Sequence, residues 1–256
     1  MDLENILFEK SGGIATIVLD HQPGNTLNLA MLHNLTTLFN EIENDHAVRA
    51  VTITGAGDRF FCVGADIREL RSIDGGEFAE RGQALFRHIE ALSKPVIAAI
   101  NGAAFGGGCE LALSCHLRIA ADTARLGQPE INYGLMPSWG ATQRLPRLIG
   151  RTRALELLLT GQSIGARRAE QYGLVNEVVP AAELKEATLK LAKQFAAAAP
   201  LAMKAILDCV DTGLKEGLQK GMDTERESFD WTHRTEDARI GLHAFFSKEK
   251  PEFKGR

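Results

Sequence analysis

Two glutamates and a run of glycines mark where chemistry could gather in this 256-residue chain. Residues 94–110, KPVIAAINGAAFGGGCE, lead from an apolar run through Asn101-Gly102 into Gly106-Gly107-Gly108 and then Cys109-Glu110-Leu111. Three glycines ahead of a helix let the backbone come close to a ligand. The free N–H groups there, with the helix dipole, favour a phosphate or a developing oxyanion. A tight turn built for packing would use the same residues. Glu110 falls in the first helical turn among apolar neighbours and is expected to be half-buried. Glu130 follows 20 residues later in Leu126-Gly127-Gln128-Pro129-Glu130-Ile131, where the proline fixes the backbone and Ile131 points to burial. Two buried carboxylates beside a backbone anion site suit general acid–base chemistry on a substrate that develops an oxyanion. They suit a glycosidase's carboxylate pair as well.

Other motifs carry less. Residues 54–67, TGAGDRFFCVGADI, hold Gly55-Ala56-Gly57 after a strand-like run, but the third glycine of a dinucleotide fingerprint is missing and no helix opens there. No GxxxxGK[ST] or HExxH occurs. Cys62, Cys109, Cys115 and Cys209 form no CxxC pair, and Cys109, Cys115 and His116 match no zinc spacing. Buried, reduced thiols in a cytoplasmic protein are the expectation, with no metal. The start, MDLENILFEKSGG, lacks a basic segment followed by an apolar run, so no signal or transit peptide is expected.

The elements that must position these residues alternate. Apolar, β-rich runs at 14–19, 48–54, 96–100, 117–121 and 175–179 have the length of buried strands. Between them, 28–44 and 76–92 repeat apolar residues at three- and four-residue spacing, and Ser93-Lys94-Pro95 closes the second helix. Strands alternating with helices define an α/β class. From about 181 onward only helical patterns remain, with Pro200 separating two helices. The expected division is a catalytic core over 1–197 and a helical region over 198–256. With 45% hydrophobic and 24% charged residues the chain is too apolar for disorder to be its main state. The charge of 29 − 33 = −4 argues against nucleic-acid binding by bulk charge. The least polar stretch, 95–115, contains Asn101 and Glu110 and reads as core, so no membrane span is expected.

Four segments together resemble the enoyl-CoA hydratase/isomerase, or crotonase, family. They are Phe60-Phe61-Cys62-Val63-Gly64-Ala65-Asp66-Ile67, the 101–110 block, Gly127-Gln128-Pro129-Glu130, and residues 137–145, PSWGATQRL. The similarity runs on into Ala244-Phe245 and Pro251-Glu252-Phe253-Lys254. It implies a spiral core of ββα units, a helical C-terminal region that builds trimers able to pair into hexamers, and acyl-CoA thioester substrates. By position, the N–H groups of Ala65 and Gly107 would form the oxyanion hole. Glu110 and Glu130 fall where hydratases carry two catalytic glutamates. The implied reaction is syn addition of water to a short trans-2-enoyl-CoA such as crotonyl-CoA, giving a 3-hydroxyacyl-CoA. Glu110 would act mainly on the water and Glu130 mainly on the α-carbon proton, with no cofactor beyond the coenzyme A of the substrate.

The resemblance also implies coenzyme A contacts. The backbone near Val63, Gly64 and Asp66 would border the adenine, Ile67 would join the coenzyme A contacts, and Arg68 stands where hydratases often have a lysine near the phosphates. Lys248, and Phe245 from a neighbouring subunit, would approach the nucleotide end, while Phe229 would line the acyl region. Two departures stand out. Gln22 occupies a position that is usually basic, and Trp139 follows Ser138 where simple hydratases have smaller residues. Trp139 would shorten the acyl pocket or stack on a flat acyl group. The rival readings are a hydratase of a cyclic or dienoyl-CoA, an isomerase that shifts a double bond without adding water, and an acyl-CoA- or RNA-binding relative without turnover.

Overall fold

In the computed structural model, which describes residues 3–256, five strands of five or six residues and one of three build one sheet, and four three-residue strands build a second. β1 (Ile6–Ser11) and β2 (Ile14–Leu19) form an antiparallel hairpin. β2 then pairs in parallel with β3 (Ala50–Gly55). The short β4 (Phe60–Cys62) leaves that sheet, and β5 (Val96–Ile100) returns to lie parallel to β3. The alternation continues with β6 (Ala103–Phe105) beside β4, β7 (Leu117–Ala121) beside β5, and β8 (Arg125–Gly127) beside β6, all parallel. β9 (Ser163–Gly165) closes the small sheet antiparallel to β8, and β10 (Glu177–Val179) closes the large one parallel to β7. Three successive turns, β3–β4, β5–β6 and β7–β8, each spend one long strand on the large sheet and one short strand on the small sheet before the next helix. This is the spiral of ββα units.

Local chemistry sets where the helices begin. α1 (Leu29–Asn44) starts at Asn28, whose side chain accepts the Met31 N–H. α2 (Gly75–Glu90) starts at Asp74, which accepts from Gly76 and Glu77. Such caps contribute about 1 kcal/mol each. α3 (Gly107–Ser114) follows β6 and is buried along its whole length. α4 (Ala141–Ile149), α5 (Arg151–Thr160) and α6 (Ala166–Gln171) carry the chain to β10. α7 (Leu184–Ala197) then packs across β3, β5 and β7. The core between sheet and helices is apolar, from Ile17, Leu35, Phe39 and Ile53 to Phe61, Leu85 and Phe86.

Beyond Pro200 the chain is helical: α8 (Pro200–Glu216), α9 (Leu218–Thr232) and α10 (Glu236–Ser247). Gly213 of α8 and Gly221 of α9 meet so closely that a side chain at Gly221 would strike the Gly213 backbone. Ile206, Val210, Leu214, Leu218 and Met222 are exposed along this pair. The last residues fold back, Asp237 taking the N–H groups of Lys254 and Gly255, while Arg49 donates to the Phe253 carbonyl at 2.8 Å. No helix among the described residues is long and apolar enough to cross a membrane.

Candidate active site

The first strand of each unit delivers the chain to the small sheet, and the functional groups sit where the small sheet meets its helices. Leu27 forms a parallel bridge with Ala65: the Leu27 N–H donates to the Gly64 carbonyl and the Asp66 N–H to the Leu27 carbonyl. That pairing uses the peptide groups on either side of Ala65, so the Ala65 N–H faces the opposite way. Gly107 opens α3, where a helix leaves its N–H groups without partners. Neither N–H donates to a protein acceptor among the described residues. The two lie side by side, a Cβ at Gly107 falling 3.3 Å from the Ala65 nitrogen. Two adjacent, unspent N–H groups, one of them opening a helix, are donors that could hold a developing oxyanion.

Glu110 stands in α3 one turn after those donors. It is only 2% exposed, buried rather than half-buried as the sequence suggested, because α3 is covered on all sides. Its Oε1 accepts the N–H groups of Trp139 at 2.8 Å and Ala141 at 2.9 Å. No protein donor reaches Oε2 among the described residues, which leaves that oxygen available to a water molecule. Burial pushes the Glu110 carboxyl up to about 7 against the pull of the Ala141 N–H; the Glu130 charge adds to the rise, and the Trp139 N–H and Arg144 oppose it.

Glu130 begins a short 3₁₀ turn, Glu130–Tyr133, directly after β8 and Pro129. It is partly buried, and burial raises its carboxyl too. Ile131, expected inside, is exposed, because the turn carries its side chain to the surface. Gln128, its amide oriented nitrogen-first, donates to both Glu130 oxygens at 3.0 and 3.2 Å. Gly106 takes φ +52°, and a side chain there would press on Glu130 Oε1. Glycine at this position therefore serves both the backbone turn and the carboxylate's space.

Both carboxylates and both N–H donors line one cavity of about 240 Å³, with Val63, Gly64 and Ile67 also on its wall. A larger, shallower groove runs along α7 among Lys185, Lys190 and Lys193, but it holds no such constellation. Asp66 is buried beside the cavity and binds Arg68 through the Arg68 N–H, Nε and Nη2, the last at 2.6 Å. This pairing holds the Asp66 carboxyl below its ordinary range and turns the Arg68 fork toward Asp66.

Trp139 also lines the cavity, yet its ring is 1% exposed. Phe78 packs on it with ring centroids 5.0 Å apart, Phe86 meets it edge-on at 5.6 Å, and its Nε1 donates to the Phe78 carbonyl at 3.1 Å. Side chains at Gly82 or Gly107 would run into the indole. The ring is a fixed inner wall, with no open face for a flat acyl group to stack on. Phe229 lies on α9, Phe245 on α10 and Lys248 in the turn just after α10; all three are exposed and outside the cavity. The roles of Gln128, Phe78 and Gly82 carry little signal in the sequence. Gln128 stood two residues from a candidate acid, and that proximity was the available signal. Cys62, Cys109 and Cys115 are buried free thiols, each pushed up to about 12, chiefly by burial. Among the described residues no three His, Cys, Asp or Glu side chains gather as a metal site would require.

A ββα spiral with paired backbone donors and two facing carboxylates defines a crotonase-type protein. The enoyl-CoA hydratase/isomerase family model matches residues 9–256. The chain is 41% identical over 261 residues to the short-chain-enoyl-CoA hydratase of Clostridium acetobutylicum, covering 100% of both chains. It is 40% identical over 257 residues to the crotonyl-CoA hydratase of Syntrophomonas wolfei, covering 99% of each. The crystal structure of an enoyl-CoA hydratase from Bacillus anthracis superposes with a TM-score of 0.95 at 37% identity, covering 99% of this chain and 100% of that one. The chain belongs to the enoyl-CoA hydratase/isomerase family.

Proposed function

We propose that the protein is an enoyl-CoA hydratase that adds water reversibly to a short trans-2-enoyl-CoA. The observation that carries this reading is the pair of carboxylates, Glu110 and Glu130, on one cavity with the Ala65 and Gly107 N–H groups. The thioester oxygen accepts from those two donors, which hold the enolate charge as it forms. Water sits between the carboxylates. Glu110 Oε2 takes one proton from it, the hydroxyl oxygen bonds to the β-carbon, and the double-bond electrons move toward the thioester. Glu130 then gives its proton to the α-carbon on the same face, and the proton on Glu110 returns to Glu130 before the next turnover. Two carboxyls in one buried site favour holding a single proton between them. The substrate completes the burial of Glu130 and so favours its protonated form. Coenzyme A enters as part of the substrate, and these steps call on no other group.

The cavity of about 240 Å³ lies below the usual range for drug-sized ligands and ends at Trp139. Both features support a short acyl group. The exposed apolar residues of α8 and α9 support assembly into a trimer, with trimers pairing into a hexamer. In that assembly Phe245, Lys248 and Phe229 serve sites shared between subunits, and Arg68 meets the phosphates. The setting is the cytoplasm, where the buried thiols stay reduced. The test is a substrate panel of crotonyl-, hexenoyl-, octenoyl- and decenoyl-CoA and a cyclic dienoyl-CoA. Loss of enoyl-thioester absorbance is followed together with product mass. Addition of one water to crotonyl-CoA, with turnover declining along the series, is the expected result. A shifted double bond without mass change would favour an isomerase, and tight binding without turnover a binding protein.

A further inference from the structure

Glu110 is held in place through a second pair of charges outside the cavity. The Trp139 and Ala141 N–H groups converge on its Oε1 from either side of Gly140, which takes φ +121°. That backbone conformation suits glycine and strains other residues. The Trp139 carbonyl accepts from Arg144 Nη1 at 3.0 Å. The rest of the Arg144 fork is spent on Glu90 of α2, Nε to Oε1 at 3.1 Å and Nη2 to Oε2 at 3.0 Å. This is a bidentate, charge-assisted pair. The Arg144 side chain is 12% exposed, so solvent and salt screen it little. A side chain at Gly140 would collide with the guanidinium, so glycine, arginine and glutamate fit as one unit.

We propose that Arg144, anchored by Glu90, is a positioning residue: it fixes the 139–141 turn and so orients Glu110 with one oxygen locked and the other free for water. The role rests on the hydratase reading of Glu110. Arg144 touches no reacting atom and acts through the Trp139 peptide. It also sets charge. The charged groups facing Glu110 are Arg144 from α4 and Glu130 from the 3₁₀ turn, with Glu90 of α2 behind the arginine. Cys109 in its own helix is neutral. Arg144 is the one cation of this set. Removing it leaves burial and Glu130 opposed only by the two N–H groups, so Glu110 would hold its proton to higher pH.

The test compares wild type, R144Q, R144K and E90Q as intact purified proteins, measuring kcat and KM for crotonyl-CoA against pH. R144Q is expected to lose about 10–100-fold in kcat, the scale of a misplaced group. Its KM should stay within about threefold, because uniform substrate binding is untouched. The acid limb of its pH profile should move to higher pH. R144K restores the charge without the fork, so the limb should return toward wild type while kcat stays low. A folded R144Q with wild-type kcat overturns the proposal. So does a lowered kcat with an unmoved limb, the mark of general loosening. If circular dichroism shows R144Q unfolded, E90Q decides: a kcat about tenfold lower at unchanged KM supports the role, and wild-type kcat overturns it. A wild type that leaves crotonyl-CoA unchanged removes the hydratase reading itself, and this role with it.

Discussion

Replacing Glu110 by glutamine should stabilise the protein while disabling it, and the effect should depend on pH. The folded protein raises this carboxyl from 4.5 to about 7, mainly by burial. A carboxyl raised on folding contributes stability that is fully present below the unfolded value of 4.5 and is lost as pH rises through about 7. The gap is about 2.5 pH units, and each unit corresponds to about 1.4 kcal/mol, so ionised Glu110 costs up to about 3 kcal/mol near pH 8. Near pH 5 the cost is about 1 kcal/mol. Glutamine is the neutral isostere and keeps an oxygen for the Trp139 and Ala141 N–H groups. E110Q should therefore unfold later than wild type near pH 8, by roughly 2–4 °C for each kcal/mol, with the gap falling to about a third of that near pH 5. Thermal unfolding at fixed protein concentration across this range measures it. A difference that does not change with pH, or a less stable E110Q near pH 8, would refute the placement of a buried, ionisable Glu110.

Other consequences are equally open to measurement. For hydration by the wild type, kcat/KM should rise through about pH 7 as Glu110 ionises in the free enzyme, whereas a flat profile across that range would contradict Glu110 as the base. G107A would drive a methyl group into the Trp139 ring beside the Ala65 N–H, and kcat should fall by about 10²–10³, the scale of losing an oxyanion donor. W139A should cost roughly 3–5 kcal/mol in urea unfolding, because it empties a buried ring site between Phe78 and Phe86.

The large sheet was legible because its inner strands are continuous apolar runs, and 14–19, 96–100 and 117–121 coincide with β2, β5 and β7. β1 was not, because it is an edge strand that buries Ile6 while Glu9 and Lys10 face water. The small sheet escaped for a different reason: three residues, as in β4, β6, β8 and β9, are too few to display a period. Yet those short strands bring Ala65, Gly107 and Glu130 together, so proximity at the site depended on the least readable elements. The glycine run and the two glutamates could be singled out by residue type and by resemblance. The depth of Glu110 and the exposure of Ile131 could not, since both follow from how α3 and the 3₁₀ turn pack. Trp139 was visible as an unusual residue, but the glycines at 82 and 107 that receive it are distant in sequence.

In the proposed reaction two carboxylates divide the work on one water molecule. Its most direct test measures hydration of crotonyl-CoA by wild type, E110Q and E130Q, with folding and oligomeric state matched. Rapid addition of one water by the wild type and a loss of at least ~10²-fold in each variant are expected, the scale of removing a positioned acid or base. Hydration at wild-type rate by either folded variant would contradict it.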